Sequence, residues 1–433
     1  MKKVFAFIAL SVSLGLSTTQ AQSQSSPQGV ETRPRTVTAP RSVGPETPPA
    51  KTAAGTEVGE SVITPAQPGT QVKPDVETGP ETTVRSPVSA RPLSPNALRL
   101  RIAEAERFFR TRPKQTAITS QALDTVTLAL LEQGTSRTHL LTLSKQSFLS
   151  KGAEVAMTTS LGTPVTLRVL RANGVNTAVT VFDNTGRSLA PLAVEFPIEK
   201  GGVFREMAYY TSAHPALLSP ELARSGQSYV RSMIDLAVKR LREKGAFISP
   251  NIVDVAERLC LVEHVDHDRF RNENRKDLFD EIYSLYALNE LDTYRYSVSF
   301  AGAGGMVQMI PWAYNLERQR HPGVGLMPDF VAGMRNHANA LQAMLLYMQD
   351  TWNDLAASED VKSALDAKIA TPTELMAAGY NSNAAKLPLY LRRGGASWRT
   401  LIPRETQVYL QIYRTLDGLV PVKPRLASTG VGD

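Results

Sequence analysis

Cysteine is almost absent: Cys260 stands alone among 433 residues. No disulfide can close within the chain, so its fold must rest on apolar burial. Cys260 lies between Leu259 and Leu261, a setting for packing rather than for nucleophilic chemistry. Long hydrophobic runs are scarce as well. The one at residues 4–16 is too short for a comfortable membrane span, and no later segment qualifies. No cysteine follows that run, which excludes lipid attachment there. An acidic excess is also missing. The formal net charge is +7, which suits an anionic partner without naming one.

What is present divides the chain. Lys2 and Lys3, the apolar run and a small polar stretch at 17–21 read as a signal peptide over residues 1–21, with cleavage after Ala21. Export argues against nucleic acid and fits a soluble mature protein whose partner is a cell-wall polymer carrying carboxylates or phosphates. Residues 22–95 are rich in Pro, Thr, Ser, Val and Gly, with almost no aromatics and no sustained periodicity. Such a segment buries too little apolar surface to offset its chain entropy, so a disordered tether is expected.

Residues 96–225 form an expected accessory α+β module. Leu98, Ile102, Ala105 and Phe108 or Phe109 recur at helical spacing, and residues 120–133 read as a second helical stretch. Residues 163–170 and 177–182 are β-branched and alternating, bounded by Asn173-Gly174 and Asp183-Asn184-Thr185-Gly186. They predict a small antiparallel sheet, continued by residues 192–196. From Ser228 the pattern is helical, and residues 226–420 are expected to form one mainly α domain, with 421–433 as a tail. Tyr229, Met233, Ala237 and Leu241 mark a first helix ending near Gly245. Ser249-Pro250 opens a second whose apolar stripe runs into Glu263. Further helices are expected over about 276–291 and 336–354.

Between those two helices lies the stretch Ser299-Phe300-Ala301-Gly302-Ala303-Gly304-Gly305-Met306-Val307-Gln308-Met309-Ile310-Pro311. Its Cβ-poor first half predicts a tight turn that lets a ligand approach the backbone, feeding a short buried helix that the proline closes. A carboxyl group at the end of a packed helix can stay protonated near neutral pH, because desolvation disfavours its anion. Glu263 and Glu290 both fit. His264, Asp266 and His267 beside Glu263 do not have metalloprotease spacing, since the two histidines are three apart and the Glu precedes them. They are read as polar residues that orient the acid, and no metal is expected.

The pattern Ser-x-x-Gly-Ala-x-Gly-(apolar)-(apolar)-Gln-(apolar)-(apolar)-Pro resembles the signature of the soluble lytic transglycosylases, which have a goose-type-lysozyme-like fold. Two later stretches resemble the family as well: Ala378-Gly379-Tyr380-Asn381-Ser382-Asn383, and Leu387 to Leu391 with Glu405-Thr406-x-x-Tyr409. The likeness covers about residues 228–415. It implies a lysozyme-like helical domain that binds peptidoglycan glycan strands in a bacterial periplasm and cleaves them without a cofactor. The catalytic acid would be Glu263, reached by a helix pair like the family's, with residues 268–290 inserted before the turn. Glu290 is the alternative, having the family's spacing to Ser299 and Gly302. Ser299, Gly302, Met306, Gln308, Tyr380 and Asn381 would line the cleft. Two other outcomes stay open: a hydrolytic lysozyme, and a catalytically idle wall-binding or scaffold protein.

Overall fold

The structure, a computed structural model, describes residues 93–112, 123–132, 134–200, 202–211, 217–289 and 302–425. The signal segment, the tether up to residue 92, Glu290 and Ser299 lie outside the described residues. The architecture is mixed α+β with a helical majority.

Helix α1 (Pro95–Thr111) starts where the Ser94 hydroxyl accepts from the Ala97 N–H and Pro95 takes the first helical position. Leu98, Ile102, Ala105 and Phe109 form its buried stripe; Phe108 points to solvent. That stripe packs on Ala129 and Leu131 of strand β1 (Thr125–Glu132) and on Ala190, Leu192 and Ala193 of β6 (Leu189–Lys200). These strands belong to a four-stranded antiparallel sheet in the order β2-β1-β6-β7, with β2 at Thr138–Ser144 and β7 at Val203–Tyr210. A single turn, α2 (Lys145–Phe148), follows β2. A second, three-stranded sheet runs β3 (Glu154–Thr158), β4 (Pro164–Arg171), β5 (Ala178–Asp183), with Leu167 opposite both Val155 and Val181.

Two sequence expectations are corrected here. Residues 125–132 are a strand, not part of a helix: β1 is central in its sheet and buried on both faces. A continuous apolar run of that kind carries no alternation to reveal it. Residues 192–196 do not extend the sheet of residues 163–182; they lie in β6, hydrogen-bonded to β1 and β7.

The helical part opens with α3 (Pro220–Glu243), capped by Ser219. Its buried stripe is Val230, Ile234, Ala237 and Leu241 rather than Tyr229 and Met233, which are half-buried. Then follow α4 (Pro250–Val262), α5 (His267–Asn272) and α6 (Arg275–Leu288). Helix α6 lies so close to α3 that a Cβ on Gly226 would fall 1.8 Å from the Tyr283 carbonyl oxygen. Leu278, Phe279, Ile282, Tyr283 and Tyr286 bury α6 in the core, so the stretch after Glu263 is integral to the fold. Beyond the glycine-rich turn come α7 (Pro311–Arg320), α8 (Phe330–Arg335) and the long α9 (His337–Ala357). The last are α10 (Glu359–Asp366), α11 (Pro372–Asn381), α12 (Leu387–Gly394) and α13 (Arg404–Leu419). A single contiguous apolar core runs from both sheets through these helices. The segment read as a tail is tied down at its start: Arg425 bridges Asp235, Asp254 and Glu257.

Candidate active site

Helix α4 keeps Asn251, Asp254, Glu257 and Arg258 on one face, the last three in ion pairs, while Ile252, Val253, Val255, Ala256, Leu259, Cys260, Leu261 and Val262 are all buried. Its final turn, from Leu259 to Val262, is wholly apolar and sits in the core. Its C-terminus therefore delivers Glu263 into the interior, where that residue is only 6% exposed. The phenol of Tyr409, on the first turns of α13, donates a hydrogen bond to Glu263 Oε1 at 2.9 Å. Nearby, Arg258 pairs with Asp417, and Arg269 with Glu273 and Glu281.

The glycine-rich stretch forms a turn rather than a helix. Gly304 and Met309 bridge across it, and Gly302 and Gly305 take left-handed φ values of 78° and 69°. At Gly305 no other residue fits easily, because a Cβ would sit 2.6 Å from the Met334 carbonyl oxygen on α8. Gln308 also has positive φ, 47°, a strained conformation for a residue with a side chain. Pro311 does not close a helix; it opens α7 at the first helical position, where its missing N–H costs nothing. The side chains of Met306, Val307 and Met309 are fully buried, so they anchor the turn from below.

Successive carbonyls of this turn are held by buried donors from distant parts of the chain. His264 Nε2 donates to the Met306 carbonyl at 3.0 Å, so that nitrogen carries the proton. The Tyr286 hydroxyl bonds Cys260 O at 2.7 Å and reaches Met306 O at 3.4 Å, with the His264 ring edge-on to its own. Tyr380 gives its hydroxyl to Val307 O at 2.7 Å and packs edge-on against Tyr347. Gln308 folds its amide back onto Gly305 O at 2.9 Å.

Of the residues singled out in the sequence, Glu263, Gly302, Met306, Gln308, Tyr380 and Asn381 are all described. His264 and Tyr380 tie Glu263's helix end and α11 to the turn. Tyr380 is a core tyrosine that positions the turn, and Met306 contributes a carbonyl while its side chain fills the core. Asn381 is buried at the end of α11. Asn383 has φ −71° and caps the 3₁₀ turn Ala384–Lys386, accepting from the Ala385 N–H. Asp266 caps α5, accepting from Asp268 and Arg269 N–H groups, so it does not orient the acid. Tyr409 is the contact that sequence reading passed over as a site residue; its signal was Glu405-Thr406-x-x-Tyr409, noted only as a helix. No protein-family model, curated protein or solved structure matches the chain.

Proposed function

We propose that the protein is a peptidoglycan lytic transglycosylase acting in the periplasm, with a lysozyme-like helical domain and Glu263 as its acid. The observation that carries this reading is the convergence of Glu263, the glycine-rich turn and Tyr409 at one buried helix end. Four stretches that resemble one family in sequence are thereby joined by hydrogen bonds spanning 42 to 146 residues.

In this reading the Glu263 carboxyl protonates the oxygen of the β-1,4 bond between N-acetylmuramic acid and N-acetylglucosamine as the C1–O bond breaks. With Tyr409 donating to Oε1, the transferable proton belongs on Oε2. The resulting carboxylate then takes the proton of the muramic acid's own 6-hydroxyl as O6 closes on C1, forming the 1,6-anhydro ring and restoring the acid. An internal hydroxyl removes the need for a second carboxylate to activate water or form a covalent intermediate.

Mass spectrometry of soluble products from purified sacculi tests it, with Glu263→Gln and Glu290→Gln alongside. Anhydro muropeptides from the unmodified chain, lost only in Glu263→Gln, are the expected outcome. Loss only in Glu290→Gln moves the acid. Products one water heavier make the protein a hydrolase. A chain that pellets with sacculi and releases nothing is a wall-binding protein instead.

A further inference from the structure

Glu317, near the end of α7, is among the described residues the carboxylate with the least exposed side chain: it is 0% exposed, and neither oxygen has a hydrogen-bond partner. A buried carboxylate left this way is costly unless a cation completes it. The nearest cationic groups stop short, with Arg320 Nη1 at 3.8 Å and His321 Nε2 at 3.6 Å. Across from α7, Asp350 on α9 places Oδ2 3.0 Å from the same His321 Nε2 and 3.4 Å from Arg320 Nη1. One ligand atom from each of Glu317, His321 and Asp350 lies within 4.8 Å of the others. Burial, and then the neighbouring Asp350, push the Glu317 carboxyl up to about 7, with Arg320 only partly offsetting them.

We propose that Glu317, His321 and Asp350 bind a divalent transition metal of the zinc class, clamping the end of α7 to α9. Two carboxylate oxygens and one imidazole nitrogen are the donor types that zinc takes, whereas calcium and magnesium prefer oxygen alone. Metal–ligand bonds of about 2.0–2.1 Å put tetrahedral ligand atoms roughly 3.3 Å apart, so a cluster now within 4.8 Å contracts by about 1.5 Å at most. The ion takes the place of the proton shared between His321 and Asp350 and displaces the Arg320 guanidinium, which is 44% exposed and free to swing outward. The other nearby cation, Lys244, is already committed to the Val324 carbonyl. His321, Asp350 and Arg320 line a cavity of about 410 Å³ that Lys244, Phe247 and Gln349 also border, so an ion would enter from their side, with Glu317 buried behind them. This site stands apart from the glycan reading. Along the α7 axis Glu317 lies about 9 Å and His321 about 15 Å from Pro311 and the turn.

The test uses the untagged full chain, stripped with EDTA and titrated with zinc chloride by calorimetry, with metal content measured after gel filtration. One zinc per chain, a raised melting temperature and proton release on binding are expected. Glu317→Gln and His321→Ala should each weaken zinc by more than about 100-fold, beyond the 10–100-fold of an outer-shell change. His321 and Asp350 are partly exposed, so His321→Ala and Asp350→Asn report even where Glu317→Gln does not fold. X-ray absorption on the unmodified chain should show one imidazole and otherwise oxygen. Failure to retain zinc overturns the proposal. So does binding unchanged in His321→Ala, or a ligand shell containing sulfur or two imidazoles.

Discussion

Tyr409 and Glu263 form the contact on which the proposed chemistry turns, and a single oxygen separates the informative variant from the unmodified chain. Tyr409→Phe removes the hydrogen bond to Oε1 while keeping the ring that fills the core. A hydrogen bond to a charged group is worth about 1.5–3 kcal/mol, so muropeptide release should fall roughly 10- to 100-fold in kcat/KM. The melting temperature should move by only a few degrees, since the packing is unchanged. Full activity with the hydroxyl gone would remove Tyr409 from the mechanism. This scale is where sequence reading was least complete. Glu263 could be found because an apolar stripe leads to it, and Gln308 because it interrupts an apolar run. Tyr409 could not, because nothing in a helical pattern says which of its buried tyrosines aims its hydroxyl at a carboxylate 146 residues away.

Elements were legible where their period and their caps agreed. Ser249-Pro250 and Glu263 bounded α4 correctly because Pro250 takes its first helical position, and Asn336 caps α9 by accepting from the Asn339 N–H; both signals are local. Strand β1 was misread because burial on both faces erases alternation, and only its pairing with β2 and β6 defines it. The proline of the turn was assigned to the wrong side of a helix for a related reason. Pro ends one helix or begins the next equally well, and only the φ values of Gly302, Gly305 and Gln308 show which. The seam between α3 and α6 was equally hidden, because Gly226 is simply a weak helix residue until Tyr283 is found against it. Gly226→Ala should force the two helices apart and cost about 1–3 kcal/mol or more, as overpacking a closed interface does. Gly418, in the open on α13 with nothing within 4 Å of an added Cβ, is the matched control. Gly418→Ala should instead stabilise the chain by about 0.5–1 kcal/mol. Thermal or urea unfolding of the pair decides it: equal effects would mean that α3 and α6 are not in the contact described.

At the scale of the whole molecule, acid is the condition that tests how the core and the sheets are held together. His337 opens α9 inside the core, accepting or sharing a hydrogen bond with the Tyr229 hydroxyl at 2.7 Å. Burial pushes its pKa down to about 3, and its place at a helix N-terminus adds a dipole that also disfavours the cation. In the unfolded chain the same imidazole titrates near 6.5. Between those values the unfolded state binds a proton that the folded state refuses, so stability falls as pH drops from about 6.5 and stops falling on this account near 3. Asp183 works the same way lower down, at the turn between β5 and β6. Burial alone would raise its carboxyl, but hydrogen bonds from Thr185 and Arg187 outweigh it and hold the group at about 2. A depressed carboxyl contributes stability that is complete above the unfolded value of about 4 and is lost as pH falls toward 2. These two groups lose stability in two stages, the core histidine first and the sheet turn second; Glu317, held at about 7, gains stability on protonation between about 7 and 4.5 and offsets the histidine down to the lower value. Melting temperature against pH resolves them. His337→Asn, which keeps an acceptor near the Tyr229 hydroxyl, should remove the histidine's loss between pH 6.5 and about 3, so that its stability relative to the unmodified chain rises across that window, and leave the Asp183 limb intact. Asp183→Asn should lower stability at pH 7 and flatten only the limb below about 4. A His337→Asn profile that still falls from pH 6.5 would show that another group, not the buried imidazole, sets the acid sensitivity of the fold.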